Sequence, residues 1–549
     1  MRFGGWADRR MGGWLVALMA LALMGPVAQR RGDPSIRLSA YPPSQSRLWR
    51  PDERVLITDF SQVDAVAASP FTVYGATPRG LLVYDRHARA WQYPVTPLDG
   101  YPARRVRAAL ADPVDDAVWL ATDDGIARYG PTARRWERGS VVGGVSDLML
   151  DARDPGGGIY VRTPREWAFL PRGFGAPVPA PSLPPPDRQL RPLSPEAALA
   201  QAPAADAMRA LLLLDPRLRV HRFTSAARTA DQPDLFFGTT GMGIVRVDPA
   251  TGEFETLAFG LAAPGAAALA PGVAGVWVSG DVPPGGRGAV TWVPENLAAA
   301  VTSEGAAGAA RPGLQYTQAR DLLAAGGAVW LATDAALFRL DGSGVVRQTF
   351  RFDDVRCLAP APDGVWVGST RGLAIVPRDG QLQRLDGVDV AVLSLLAVRE
   401  SLWVGSAAGL GLLVPGTSRV EVPAAVADEP ALRAPIRALA RIGDTVVAAA
   451  GDQLARRDPA TGRWTLVRPD AALGRLTALA GDATGDGIVW VGGSDALAAW
   501  HVAAGTFTLL RVPGDLPAGV RDVLASGPFV WVATDAGLVR LARSVVLGG

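Results

Sequence analysis

The sequence contains one cysteine, Cys357, and three histidines, His87, His221 and His501, in 549 residues. An intrachain disulfide is therefore impossible, and a Cys/His structural zinc site is all but excluded. Lysine is absent, so every cationic side chain is arginine; alongside abundant Ala, Gly and Pro, this reads as the codon bias of GC-rich DNA. Neither sign of charge dominates. The 55 basic and 53 acidic residues leave a formal charge of +2, without the basic footprint of a nucleic-acid binder, so DNA and RNA are not expected partners. Hydrophobic residues at 48% and charged residues at 20% are ordinary globular usage, and 63 glycines with 45 prolines indicate a folded chain rich in turns. The length rules out a single small module.

Long apolar runs are also scarce. The one of note is Trp14 to Met24, inside the uncharged stretch Met11 to Ala28 and preceded by Arg2, Arg9 and Arg10. This is the pattern of an export signal over residues 1–28, followed by a linker over 29–53. Cleavage after Ala28 is weakly marked because of Pro26, which leaves an uncleaved N-terminal anchor as the alternative. The apolar core is shorter than the roughly 20 residues that cross a bilayer comfortably. No cysteine lies nearby to be acylated, which excludes a lipoprotein. The expected location is exported, periplasmic or extracellular.

What the chain has in abundance is a repeat. VWLATDDGIARY (Val118 to Tyr129), VWVGSTRGLAIV (Val365 to Val376), LWVGSAAGLGLL (Leu402 to Leu413) and VWVATDAGLVRL (Val530 to Leu541) share one pattern. Anchors fall at Tyr74, Trp119, Tyr160, Phe237, Trp277, Trp330, Trp366, Trp403, Val447, Trp490 and Trp531, giving eleven copies. Each copy reads as four short strands: an alternating run such as VRDVLAS, the anchor strand, a strand opening on Gly-Leu or a similar pair, and a fourth such as RWTLV. The turns Asp248-Pro249-Ala250-Thr251-Gly252 and Asp458-Pro459-Ala460-Thr461-Gly462 recur, with Pro fixing φ and Gly supplying φ > 0. Four strands in about 40 to 45 residues make one propeller blade, so the fold class is all-β, a β-propeller of about eleven four-stranded blades. The anchors are expected to cement neighbouring sheets, each buried Trp removing roughly 200 Å² from water. The small residues behind them, such as Gly368 and Gly405, are expected on a narrow strand where blades crowd the axis.

The W-V-G-[ST]-x-x-G-L core of Trp366 to Leu373 and Trp403 to Leu410 resembles the two-component-regulator propeller repeat of the extracytoplasmic sensor halves of bacterial hybrid histidine kinases. The resemblance covers nearly all of the chain after the export segment. It implies a sensor-type propeller, without implying phosphotransfer, since the repeats run to the last residues of this sequence.

Two long steps, Tyr160 to Phe237 and Trp277 to Trp330, contain insertions at 171–216 and about 296–312. Both are expected between a third and a fourth strand, decorating one face. In the first, Ser194 and Pro195 should cap a short helix that Pro203 breaks. Eleven blades exceed the usual four to eight of one ring, so two rings are expected, or alternatively one large ring. The division is placed at residues 54–312 for blades one to five and 313–549 for blades six to eleven. The strand RVLITDF (Arg54 to Phe60) could complete the last blade beside SVVL (Ser544 to Leu547), a closure that argues for a single ring or for nested rings.

Catalytic constellations are wanting. His87 sits in a hairpin turn, His221 in an outer strand and His501 after Trp500, and no motif joins them. Cys357 lies in a strand where a small buried hydrophobe is expected. The phrase D-P-A-T-G-x-[FW] is similar to the tryptophan-docking motif of quinoprotein dehydrogenase propellers, but a tight hairpin accounts for it and the vicinal cysteines are missing. Asp123-Asp124, and Asp482 with Asp486, have calcium-loop residues without a calcium loop's Glu or helices. No catalytic, cofactor or metal residue is assigned, and no ligand-binding residue can be ranked. The expected function is a binding or scaffold protein recognising an unknown protein or small ligand of the cell envelope through propeller-face loops. The alternatives are the sensing part of a two-component system, or a lyase or hydrolase acting on glycans. The enzyme requires at least three polar groups converging in a channel mouth.

Overall fold

A computed structural model describes residues 37–40 and 48–548, except 103, 172–177, 181, 216–218, 230, 284–285, 287, 298–313, 353, 379, 386–387, 415–416, 418 and 483–484. The export segment 1–28 and most of the second insertion lie outside the described residues. Among the described residues the repeat folds as expected into eleven antiparallel sheets: eight four-stranded, two five-stranded and one three-stranded.

Each blade begins with its innermost strand and continues outward. The anchor sits on the second strand, as Trp366 does between Ala359 of the first and Ile375 of the third. Hydrophobic clusters then join one blade to the next. Trp330 and Ala332 of blade six pack with Leu358 and Val367 of blade seven, and Trp490 of blade ten packs with Val523 and Val532 of blade eleven. Tyr74, Phe237, Val447, Trp490 and Trp531 are fully buried, whereas Trp366 and Tyr160 are half-buried. The small residues beside the anchors lie on this second strand and are crowded by a neighbouring blade as well as by their own. A Cβ on Gly368 would stand 2.5 Å from Cys357 Sγ and 2.6 Å from Val392 Cγ1 of the next blade, so only glycine fits. The Asp-Pro-Ala-Thr-Gly turns close as their sequence dictates. Asp248 Oδ1 accepts the Ala250 N–H at 2.8 Å, Asp458 Oδ1 accepts the Ala460 N–H at 2.9 Å, and Gly252 and Gly462 adopt φ of 75° and 72°.

Contacts between innermost strands define the rings. Ala268–Gly272, Ala319–Ala325, Val355–Ala361, Val392–Val398, Ile436–Ile442, Leu476–Gly481 and Val520–Ser526 follow one another around a circle that closes on itself. Asp147–Asp151, Val106–Ala111, Ala65–Ala68 and Phe223–Arg228 follow one another around a second, smaller ring that stays open between its first and last strand. The molecule is therefore a ring of four blades and a ring of seven. The division expected near residue 313 falls one blade earlier, in the connection after Leu257, because blade five packs against blades six and eleven. The rings are nested in the chain: Arg54–Ile57 completes blade eleven as its outermost strand, pairing Arg54 with Leu541 and Ile57 with Leu538. The stretch expected to supply a strand there, Ser544 to Leu547, is the helix Arg543–Leu547.

The first insertion also departs from expectation. A two-residue fourth strand, Val178–Pro179, pairs with Trp167–Pro171 directly, so the bulk of the insertion follows blade three instead of interrupting it. Leu190 then pairs with Leu150 of blade three and Leu193 bridges to Ala226 of blade four, spanning the gap between them. The helices Pro195–Leu199, Pro203–Ala207 and Arg209–Leu212 bury Ala198, Leu199, Ala202 and Leu212 against Phe237, Val245 and Val247. Ser194 caps the first helix through the Ala197 N–H at 3.2 Å, and Pro203 opens the second helix. The insertion takes the place of a blade because the apolar flank of blade four needs a cover and four blades leave a gap. Between the rings, blades one and four share a core with blades five and eleven. The buried Arg54 donates to Gly514 O at 2.6 Å and to Leu98 O at 2.8 Å, pinning blade eleven's outermost strand to ring one.

Candidate functional site

The seven-bladed ring carries its chemistry where its innermost strands begin. In six of these strands the pairing register slips by one residue, between Ala319/Asp321, Val355/Cys357, Val392/Ser394, Ile436/Ala438, Leu476/Ala478 and Val520/Asp522. A bulge leaves one residue out of the ladder and turns its side chain away from the sheet. The residues so displaced are Arg320, Arg356, Leu393, Arg437, Thr477 and Arg521. With Arg475, they line a concavity of about 290 Å³ at the mouth of the channel.

Side chains at or next to the bulges tie each blade to another. Asp321 Oδ2 accepts the Leu358 N–H at 2.7 Å and Asp522 Oδ2 accepts the Leu269 N–H at 2.9 Å. Ser394 Oγ donates to Ile436 O at 3.0 Å and Thr477 Oγ1 donates to Val520 O at 2.7 Å. Each carboxylate keeps some accessible surface but is walled in by the converging strands. That burial, and for Asp321 the nearby charge of Asp522, raises Asp321 to about 8; burial alone raises Asp522 to about 6. The two acids brace the ring, and their hydrogen bonds to backbone N–H groups leave them poorly placed for substrate chemistry.

The arginines above them differ in their partners. Arg320 and Arg356 share Asp354, at 3.2 and 2.8 Å, and Arg521 lies 3.3 Å from Asp281 and 2.7 Å from Asp535. Burial opposes the charge of Arg521, but the two aspartates outweigh it and hold its pKa above the usual value. Arg437 and Arg475 are exposed and form no ion pair among the described residues. Five guanidinium groups thus meet three carboxylates, leaving positive charge in a concave, rigidly built mouth.

The residues singled out in the sequence lie elsewhere. His87 is exposed in its turn and stacks on Phe71 at 6.0 Å. His221 lies outside any outer strand: it precedes the innermost strand of blade four, with Nε2 3.1 Å from Asp215 Oδ2. His501 ends the third strand of blade ten. The fold brings none of the three together. Cys357 is 6% exposed, and burial, followed by the charge of Asp321, pushes its thiol well above the usual range. Asp482 and Asp486, read as a calcium-like loop, both face Arg543, Asp482 at 2.6 Å; Asp124 pairs with Arg104 at 2.8 Å and Asp123 with Arg107. Among the described residues, no group of three or more His, Cys, Asp or Glu is placed to hold a metal. The mouth arginines were missed, although VRCLAP and VRDVLAS carry the signal. An arginine directly after the first apolar residue of the first strand recurs as Ala319-Arg320, Val355-Arg356, Ile436-Arg437 and Val520-Arg521.

No family model matches the chain, and no curated protein matches it. Solved structures do. PorZ, a surface component of the type-IX secretion system of Porphyromonas gingivalis, is 10% identical with a TM-score of 0.50, covering 89% of this chain and 87% of that one. The fold is a double β-propeller. The extracellular domain of the putative one component system BT4673 from B. thetaiotaomicron is 13% identical over 88% of this chain and 70% of its own, TM-score 0.39. Virginiamycin B lyase from Staphylococcus aureus is 14% identical over 51% of this chain and 95% of its own, TM-score 0.40. At these identities the likeness concerns the fold alone. Among the described residues, no helix is long and apolar enough to cross a membrane.

Proposed function

We propose that this chain is an exported binding protein whose seven-bladed ring recognises an anionic group at its arginine-lined mouth. The observation that supports this reading is the convergence of Arg320, Arg356, Arg437, Arg475 and Arg521 on one concavity, two of them without a carboxylate partner. A guanidinium offers a planar fork that grips carboxylate or phosphate bidentately, and a rigid ring holds several at little entropic cost. The basic and apolar N-terminal segment supports export, and the repeat's resemblance to two-component propellers supports a sensing role for the same mouth. The mouth meets the convergence that a propeller enzyme requires, yet the acids beneath it are committed to backbone N–H groups, which favours binding.

Isothermal titration with citrate, a compact tricarboxylate, tests the reading. The wild type binds, and the double variant Arg437→Glu/Arg475→Glu loses at least about tenfold in affinity with an unchanged melting temperature. Absence of binding by citrate and by inorganic phosphate, or affinity indifferent to the double variant, overturns it.

A further inference from the structure

The four-bladed ring has a mouth of its own. It is a concavity of about 650 Å³ lined by three arginines, Arg104, Arg105 and Arg107, one carboxylate, Asp64, and the neutral Gln62 and Thr224, again at the ends where innermost strands begin. Its blade two strand carries the same register slip, between Val106 and Ala108, which displaces Arg107. Arg104 and Arg107 pair with Asp124 and Asp123 on the surface, while Arg105 is exposed and forms no ion pair among the described residues.

The chain path brings the two mouths to the ends of the same pair of crossovers. One crossover leaves blade eleven after Ile57 and reaches the first innermost strand at Ala65; the other leaves blade four after Leu257 and reaches Ala268. They run antiparallel, with Asp59 opposite Gly260 and the Leu261 N–H donating to Thr58 O at 2.9 Å. The first crossover supplies Gln62 and Asp64 to one mouth. The second supplies Gly265, Ala266 and Ala267 to a depression beside Arg521 at the other. Both crossovers therefore lie on the mouth side of both rings. From Asp64 through the Asp59–Gly260 bridge to Ala267 the chain spans at most about 50 Å, which bounds the distance between the mouths.

From this juxtaposition we infer that the two mouths form one bipartite site for an extended acidic polysaccharide, with uronate carboxylates of a single chain held at both. The inference rests on the anion-binding reading of the seven-bladed ring and deepens it. Among the described residues, neither mouth is lined by an aromatic side chain for the stacking that single-stranded nucleic acid uses. Neither offers the deep apolar pocket that anchors a peptide side chain. A uronic acid polymer presents a carboxylate on every sugar for guanidinium recognition and carries no hydrophobic side chain that requires such a pocket.

Oligogalacturonates of graded length, titrated against the full chain, test this. Once the oligomer is long enough to span the mouths, affinity should rise by about 10² or more over the shortest that binds, because the second contact becomes intramolecular. Either Arg437→Glu/Arg475→Glu or Arg104→Glu/Arg105→Glu alone should return the long chain to short-chain affinity. If short oligomers bind the seven-bladed ring but affinity does not rise with length, or the Arg104/Arg105 variant binds long chains as wild type does, the bipartite site is overturned and the single-mouth reading stands. If no oligomer binds while citrate does, the polysaccharide assignment falls and the single-mouth reading stands; if neither binds, both fall. A single-stranded oligonucleotide that outcompetes the longest oligogalacturonate would overturn the polysaccharide assignment.

Discussion

The two rings solve the same closure problem differently. The seven-bladed ring closes with blades alone: every flank finds another blade, and the circle is sealed by a strand from the far end of the ring's own chain, Arg54–Ile57 against Gly537–Ala542. The four-bladed ring has too few sheets to close, and a helical insertion covers the exposed flank of blade four. Ring closure thus depends less on blade number than on every apolar flank having a partner. Sheet and helix are interchangeable for that purpose because burial is non-directional.

Four measurements would break or sharpen this comparison. Removing a fully buried anchor of the seven-bladed ring, Trp531→Ala, should cost about 3–5 kcal/mol in chemical denaturation; a loss under about 1 kcal/mol would mean the blades do not lean on it. In the smaller ring, Leu199→Ala should cost about 2–5 kcal/mol and lower the melting of that ring first, since Leu199 joins the insertion to blade four. A single transition of unchanged midpoint would show that the insertion is not what closes the ring. Next comes pH. The folded pKa of Asp321, about 8, and of Asp522, about 6, lie above the ordinary carboxylate value, so the native state binds more protons than the unfolded chain between roughly pH 4 and 8. Their contribution to stability is full below the unfolded pKa and is lost as pH rises through the folded values. Asp321→Asn should flatten that decline in a melting-temperature profile; an unaltered slope would refute the role given to Asp321. The smallest effect is at the mouth itself, where Arg437→Glu should change stability by no more than about 0.5 kcal/mol while weakening anion binding.

Not all anchors are alike, which qualifies the reading of the repeat. Trp403 is well buried and Trp366 only half so, and Trp366→Ala should therefore cost less than Trp403→Ala, although the two sequences around them are nearly identical. The repeat specifies which side chain faces a neighbouring blade, but the neighbour decides how completely it is covered. His87 and the Asp123-Asp124 turn were legible as turn and surface chemistry, because hairpins are local; His221 and Asp482 were not, because their partners Asp215 and Arg543 are set by tertiary packing. The arginine mouth was not, because a one-residue bulge breaks the strand alternation and hides the direction in which Arg320, Arg356, Arg437 and Arg521 point.

By itself the sequence determined the number of blades, the anchor of each and the Asp-Pro-Ala-Thr-Gly turns between third and fourth strands. These follow from short-range periodicity and backbone preferences that act within about 45 residues. Only the tertiary structure decided that blade five belongs with blades six to eleven, that the proline- and alanine-rich insertion stands in for a blade, and that arginines from separate repeats meet at one mouth. Each of those depends on which flanks pack together across hundreds of residues, and one blade's sequence looks the same to either ring.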